Sequence, residues 1–186
     1  MLFRGLAFAL SAGEVLRIAG PNGSGKTSLL RILCGLLTPS AGEVRWNGAR
    51  IQMLREEYAR HLVYLGHAPA VKDELTGAEN LRATCVLAGL APSAQEIRDA
   101  LARVGVPGDK PVRQLSQGQR RRAALARLSL SWQAPVWLLD EPFNALDAAA
   151  AAVTRTLLGE HAQRGGSVVY STHQDAGLRD SRVIVL

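Results

Sequence analysis

The stretch Gly20-Pro21-Asn22-Gly23-Ser24-Gly25-Lys26-Thr27 fits the pattern G-x-x-x-x-G-K-[ST] at each fixed position, and it limits the folds open to this chain more than any other feature. Such a loop works only between a strand and a helix. Glycines let the backbone curl round a chain of phosphates with its N–H groups turned inward, and the first turn of the following helix adds positive potential. Lys26 then meets the β and γ phosphates, and the Thr27 hydroxyl ligates Mg²⁺. The flanks agree: Val15-Leu16-Arg17-Ile18-Ala19 is a short apolar run that reads as a strand, and Leu29, Leu30 and Leu33 recur on one face of a helix.

Two further strands end in residues suited to the same chemistry. Val136-Trp137-Leu138-Leu139 is apolar throughout, as in a parallel sheet buried on both faces, and it runs into Asp140-Glu141-Pro142. Asp140 can hold Mg²⁺ through water, and Glu141 can orient or activate an attacking water. The plainer reading is that both acids merely begin a turn. Ser167-Val168-Val169-Tyr170 is a strand that ends in Ser171-Thr172-His173, which puts His173 at the sheet edge where a γ-phosphate would lie. A lone histidine is otherwise more often structural.

The remaining segments fill in the architecture. Val44-Arg45-Trp46 with Asn47-Gly48 predicts a strand entering a tight hairpin, because Asn-Gly accepts the positive φ angles of the favoured two-residue turn. Leu62-Val63-Tyr64-Leu65 reads as a buried strand that ends at Gly66-His67-Ala68-Pro69, and residues 182 to 186 read as another. The stretch from about residue 72 to 132 reads as helical. Thr76 with Glu79, Ser93 with Glu96 and Ser116 with Gln119 each have capping-box spacing. Leu81, Cys85 and the residues from Leu87 to Leu90 supply one apolar face, and Ile97, Leu101 and Val104 another. Arg120-Arg121-Arg122 opposes the positive end of its helix dipole, which asks for an anion or acidic partner nearby.

At 186 residues and 47% hydrophobic content the chain can bury a core as a single domain. Its 22 basic against 16 acidic residues, net +6, would suit nucleic acid, an anionic membrane surface or a phosphate-rich ligand, and charge alone does not choose. Two cysteines, Cys34 and Cys85, make no disulfide framework and have no metal-ligand spacing. No apolar run reaches the roughly 18 residues of a membrane helix. The apolar run from Leu6 to Leu10 is shorter than the roughly 7 to 15 residues of a signal peptide, so a cytosolic protein is expected, with Leu6, Phe8 and Leu10 alternating as in a strand.

In this order the motifs resemble the ATP-binding subunit of ABC transporters. The family's LSGGQ signature is matched by Leu115-Ser116-Gln117-Gly118-Gln119 with one glycine replaced, its loop after the acidic strand by Ala145-Leu146-Asp147, and its switch histidine by His173. The resemblance covers essentially the whole chain. It implies an α/β phosphate-loop NTPase fold: a mostly parallel sheet core, a small antiparallel β subdomain and a helical subdomain at about 72–132, all within one ABC domain at 1–186. It also implies ATP and Mg²⁺ as ligands. Gly20, Pro21, Asn22, Gly23, Ser24, Gly25, Lys26 and Thr27 would bind phosphates, Asp140 and Thr27 would serve the metal, Glu141 would be the general base, and His173 would sense the γ-phosphate. Two copies would pair head to tail on ATP, with Ser116, Gly118 and Gln119 of one capping the nucleotide of the other and Asp147 touching the partner. Integral membrane subunits on separate chains would place the protein peripherally on the cytoplasmic face of a bacterial inner membrane, with indirect membrane contact and no nucleic acid bound.

Three stretches, Tyr64 to Pro69 leading on to Leu81, Gln119 to Leu128, and Asp140 to Asp147, resemble a narrower group, the haem exporter ATP-binding subunits of bacterial cytochrome c maturation. That group implies haem export, or release of haem from a chaperone. Most of the family has glutamine where this chain has His67. The family also stacks adenine on an aromatic residue ahead of the phosphate loop, and Phe3 is too close to the loop in sequence to replace it. Other readings stay open: an ABC subunit with a different substrate, or an ATP-gated binding module, which Glu141 opposes. A phosphate-loop kinase would have no use for the Ser116 segment, and nucleic-acid-associated members of the family carry two cassettes or a long coiled coil.

Overall fold

A computed structural model describes residues 2–173, 177–178 and 181–186. The chain divides into two compact units, one made of Met1–His67, Gln133–Pro142 and Gly159–Leu186, the other of Ala68–Trp132 and Phe143–Leu158.

The first unit is built on a parallel sheet. Its strands are β1 (Val15–Ala19), β4 (Leu62–Leu65), β5 (Val136–Asp140), β6 (Ser167–Ser171) and β7 (Arg182–Val185), in the order β4-β5-β6-β1-β7. The phosphate loop leads from β1 into α1 (Lys26–Leu33). Side chains alternate across a sheet, so Leu16 and Ile18, Val136 and Leu138, and Val169 form one face, and they pack with Leu29 and Leu30 of α1. Asp140 and Ser171 continue the same rows to the strand ends, register partners on neighbouring strands. This alternation brings two polar side chains to the edge of the core on which the phosphate-loop helix lies.

β2 (Arg45–Trp46) and β3 (Ala49–Arg50) form the expected antiparallel hairpin, with Asn47 at φ 49° and Gly48 at φ 83°. α2 (Ile51–Leu54) and α3 (Glu56–Arg60) follow, and the Tyr58 hydroxyl donates to the Leu33 carbonyl at 2.7 Å. Burial pushes that phenol up to about 12. The opening segment differs from expectation. Beyond Met1, which lies outside the described residues, Leu6, Phe8 and Leu10 do turn inward against the core, but no strand forms there. The segment is tied by side chains instead, as where the Ser167 hydroxyl donates to the Ser11 carbonyl at 2.8 Å.

The second unit is helical: α4 (Gly77–Leu87), α5 (Ala94–Arg103) and α6 (Gln117–Leu125), with short 3₁₀ turns at Val112–Gln114 and Ala126–Leu130. All three capping boxes form, each stabilising its helix start by about 1 kcal/mol. Leu81, Cys85, Ile97, Leu101, Val104, Val112 and Leu115 make its core. Leu87, expected on that face, is 90% exposed, because the stripe through Leu81 and Cys85 advances by four residues and passes it by. α7 (Ala148–Gln163) contributes residues to each unit, and its run of alanines from Ala148 to Ala152 supplies the strongest helix formers available.

Candidate active site

Parallel strands present their C-terminal ends on one edge, and here that edge gathers the phosphate loop, Asp140, Glu141 and His173. The loop is held open by close backbone contacts. A Cβ on Gly20 would lie 2.7 Å from Ser24 Oγ and 2.8 Å from the Leu186 carbonyl, and one on Gly25, at φ 105°, would lie 3.0 Å from Leu2 Cβ. Only glycine fits both places. α1 begins at Gly25 with no side-chain cap, so its first N–H groups face the loop.

Lys26 is buried, and its ammonium donates to the Gly20 and Pro21 carbonyls at 2.9 Å each while standing 4.0 Å from Glu141 Oε1. The Thr27 hydroxyl donates to Asp140 Oδ2 at 2.8 Å. Asp140 is fully buried, and its other oxygen accepts from the Ser171 hydroxyl at 2.6 Å. Glu141 follows at φ 50°, a left-handed backbone that glutamate rarely adopts, and its amide donates to Ser171 Oγ at 2.9 Å. His173 Nδ1 lies 3.2 Å from Glu141 Oε2. Ser171, which the sequence reading gave no role, therefore sits between the two acids. The signal for it was a serine closing a strand that is buried at every position.

These residues fit a magnesium-bound nucleoside triphosphate. Ser24 Oγ is buried without a hydrogen-bond partner among the described residues, inside a loop of inward amides beside a lysine whose hydrogen bonds go to neutral carbonyls and whose carboxylate neighbour, Glu141, stands 4.0 Å off. Among the described residues no group of three or more His, Cys, Asp and Glu side chains gathers to hold an ion by itself. A hydroxyl with one or two carboxylates suits magnesium, which takes its remaining oxygens from phosphates and water.

The other candidates lie elsewhere. His67 is exposed, two residues beyond β4. Ser116, Gly118 and Gln119 begin α6 in the second unit, with the Ser116 hydroxyl accepting from Gln119 N at 3.2 Å. Gly118 is pressed against the loop before α7: a Cβ there would lie 2.9 Å from the Ala145 carbonyl. Asp147, exposed, caps α7 by accepting from Ala150 N at 2.7 Å. The arginines expected to have an anion or acidic partner nearby find an acidic one: Arg120 pairs with Asp73 at 3.0 Å, and Arg122 donates to the Val104 carbonyl at 3.2 Å. They carry no separate functional signal.

A family model described as ABC transporter matches residues 3–144. The cytochrome c biogenesis ATP-binding export protein CcmA of Aromatoleum aromaticum is 57% identical over 178 residues, covering 95% of this chain and 83% of that protein. The protein of the same name in Haemophilus influenzae is 48% identical over 177 residues, covering 94% and 83%. Among solved structures, a dimeric ATP-binding cassette in a post-hydrolysis state bound to ADP and Pi matches with a TM-score of 0.84 at 27% identity, covering 96% of this chain and 83% of that one. An ATP-binding subunit of an ABC transporter matches at 0.83 and 26%, covering 96% and 77%.

Proposed function

We propose a function from one premise: the chain belongs to the ABC transporter family and, within it, to the ATP-binding export proteins of cytochrome c biogenesis. It is an ATP-hydrolysing subunit that powers haem export, or release of haem from its chaperone, in making c-type cytochromes. The observation that carries this reading is the 57% identity to CcmA of Aromatoleum aromaticum over 95% of the chain.

Residues 1–186 form a single ABC domain, with a helical subdomain at about 72–132. Bound MgATP supplies a phosphoanhydride whose hydrolysis releases the free energy used. The loop amides and Lys26 would bind the phosphates, and Thr27 and Asp140 would hold the magnesium. Glu141 takes the proton of the attacking water; it sits between Lys26 and His173, 4.0 Å and 3.2 Å away. His173 holds the γ-phosphate side of the site and keeps Glu141 oriented. His67 occupies the position of the family's metal-facing glutamine and offers one ring nitrogen as donor or acceptor.

Two copies associate head to tail on ATP, so that the α6 N-terminus, with Ser116, Gly118 and Gln119, faces the nucleotide held by the other copy, and Asp147 lies at the contact. A nine-residue helix opening on a capping box offers oriented N–H groups to an anion. Separate membrane subunits hold the protein peripherally on the cytoplasmic face of the inner membrane; no described helix is long and apolar enough to cross a membrane.

The test uses cells whose only copy carries Lys26→Ala. Loss of haem-stained c-type cytochromes, with apoproteins still made and free haem unchanged, is the expected result. Normal cytochrome content would move the protein to another ABC transport system.

A further inference from the structure

Ser171 interrupts the pattern that places it. β6 is buried at every position, and Ser167-Val168-Val169-Tyr170 gives no reason for a hydroxyl at its end. Yet Ser171 is fully buried and stands in register with Asp140 on β5. Its oxygen accepts from Glu141 N at 2.9 Å, and its hydroxyl donates to Asp140 Oδ1 at 2.6 Å. A hydroxyl has one proton to give. Because the Glu141 amide can only donate, that proton is committed to Asp140, and both directions are fixed.

Each bond has a consequence. The bond to Asp140 leaves that carboxylate acting as an acceptor on both oxygens, toward Ser171 on one side and Thr27 on the other. The bond from Glu141 anchors the backbone amide of a residue that turns to φ 50°, and that turn aims the Glu141 side chain. We infer that Ser171 is a positioning residue that sets Asp140 for the metal and Glu141 for the water through a single hydroxyl. The inference rests on the ATPase reading above.

The experiment compares the parent chain with Ser171→Ala, Ser171→Thr and Lys26→Ala, all checked for folding by circular dichroism. Fluorescent mant-ATP is titrated in EDTA and again across a Mg²⁺ series, and ATP hydrolysis is followed over the same Mg²⁺ range. In EDTA, parent, Ser171→Ala and Ser171→Thr bind nucleotide within about twofold of one another, because Ser171 touches no phosphate-loop group. With metal, Ser171→Ala needs about 10- to 100-fold more Mg²⁺ for the same gain in binding, and its kcat at saturating Mg²⁺ falls by about the same factor. Ser171→Thr, which keeps the hydroxyl and suits a strand, recovers both to within about threefold.

A Ser171→Ala chain that matches the parent in both readouts overturns the inference. So does one that loses nucleotide binding in EDTA to the same degree, which would make Ser171 a packing residue, and so does a folded Ser171→Thr chain that falls as far as alanine. A parent that hydrolyses ATP no faster than Lys26→Ala would refute the ATPase reading and take the inference with it. A parent that is active beside an unchanged Ser171→Ala refutes the inference alone.

Discussion

His161 provides a quantitative test of how the sheet is held from behind. Its ring stacks on Trp137 of β5, with centroids 3.7 Å apart and planes 3° from parallel, and only 1% of the residue is exposed. Burial pushes the imidazole down from 6.5 to about 4, with the nearby Arg164 guanidinium adding to the effect and the Pro135 backbone opposing it. An unfolded histidine takes up its proton near pH 6.5 and the folded one only near 4, so between those values the unfolded state binds more protons and stability falls as pH falls. The full difference is about 3 kcal/mol, of which about 2 kcal/mol is already lost between about pH 7.5 and pH 5, before most carboxylates titrate. Urea unfolding at those two pH values, followed by circular dichroism, is compared between the parent and His161→Phe, which keeps a ring against Trp137 but cannot be protonated. The parent is expected to lose about 2 kcal/mol more than the variant over that interval. Parallel losses would refute the reasoning, whatever the variant's absolute stability.

Glu141→Gln removes the base while preserving the shape of the site, so hydrolysis falls by about 10²- to 10⁴-fold while nucleotide binding persists, measured as phosphate release against mant-ATP affinity. Gly118→Ala drives a Cβ to 2.9 Å from the Ala145 carbonyl, a backbone atom that cannot swing aside. It is expected to lower stability in thermal melts by about 1 to 3 kcal/mol. Gly166→Ala places a Cβ 2.2 Å from His161 Nε2 and must expel that ring from its stack on Trp137. A cost of about 3 kcal/mol or more is expected in urea unfolding, along with a changed tryptophan emission; a variant as stable as the parent would contradict the packing described.

What was legible in the sequence was whatever a short window of residues decides. The phosphate loop, the Asn47-Gly48 hairpin and the three capping boxes all depend on neighbours within about eight residues, and each formed where its pattern stood. Asp140, Glu141 and His173 were legible for a different reason: each sits at the end of an apolar run, and parallel strands bring such ends to one edge whatever their order in the chain. Leu87 failed because it lay inside an apolar cluster whose composition was right and whose angular position was wrong, whereas the acidic partner asked for by the Arg120 to Arg122 run is Asp73, which no short window could have named.

Ser171 and His161 mark the deeper limit. Neither belongs to a local pattern, because the meaning of each comes from the register of β5. Asp140 meets Ser171 only because Val136 pairs with Ser167, and a shift of one residue in that ladder would turn Ser171 to the opposite face of the sheet. The register that delivers Asp140 to Thr27 also turns Trp137, three residues earlier and on the other face, toward His161. The two faces of β5 therefore answer for each other. The Trp137–His161 stack and Gly166 hold the strand from behind, and the Asp140–Ser171 bond fixes it in front. Displacing the stack, as Gly166→Ala does, should reach the site: kcat falls further than nucleotide binding in EDTA, because Lys26 and the loop stay on β1 and α1 while Asp140 and Glu141 move with β5. Equal losses in both would show instead that the phosphate loop and β5 unfold as one.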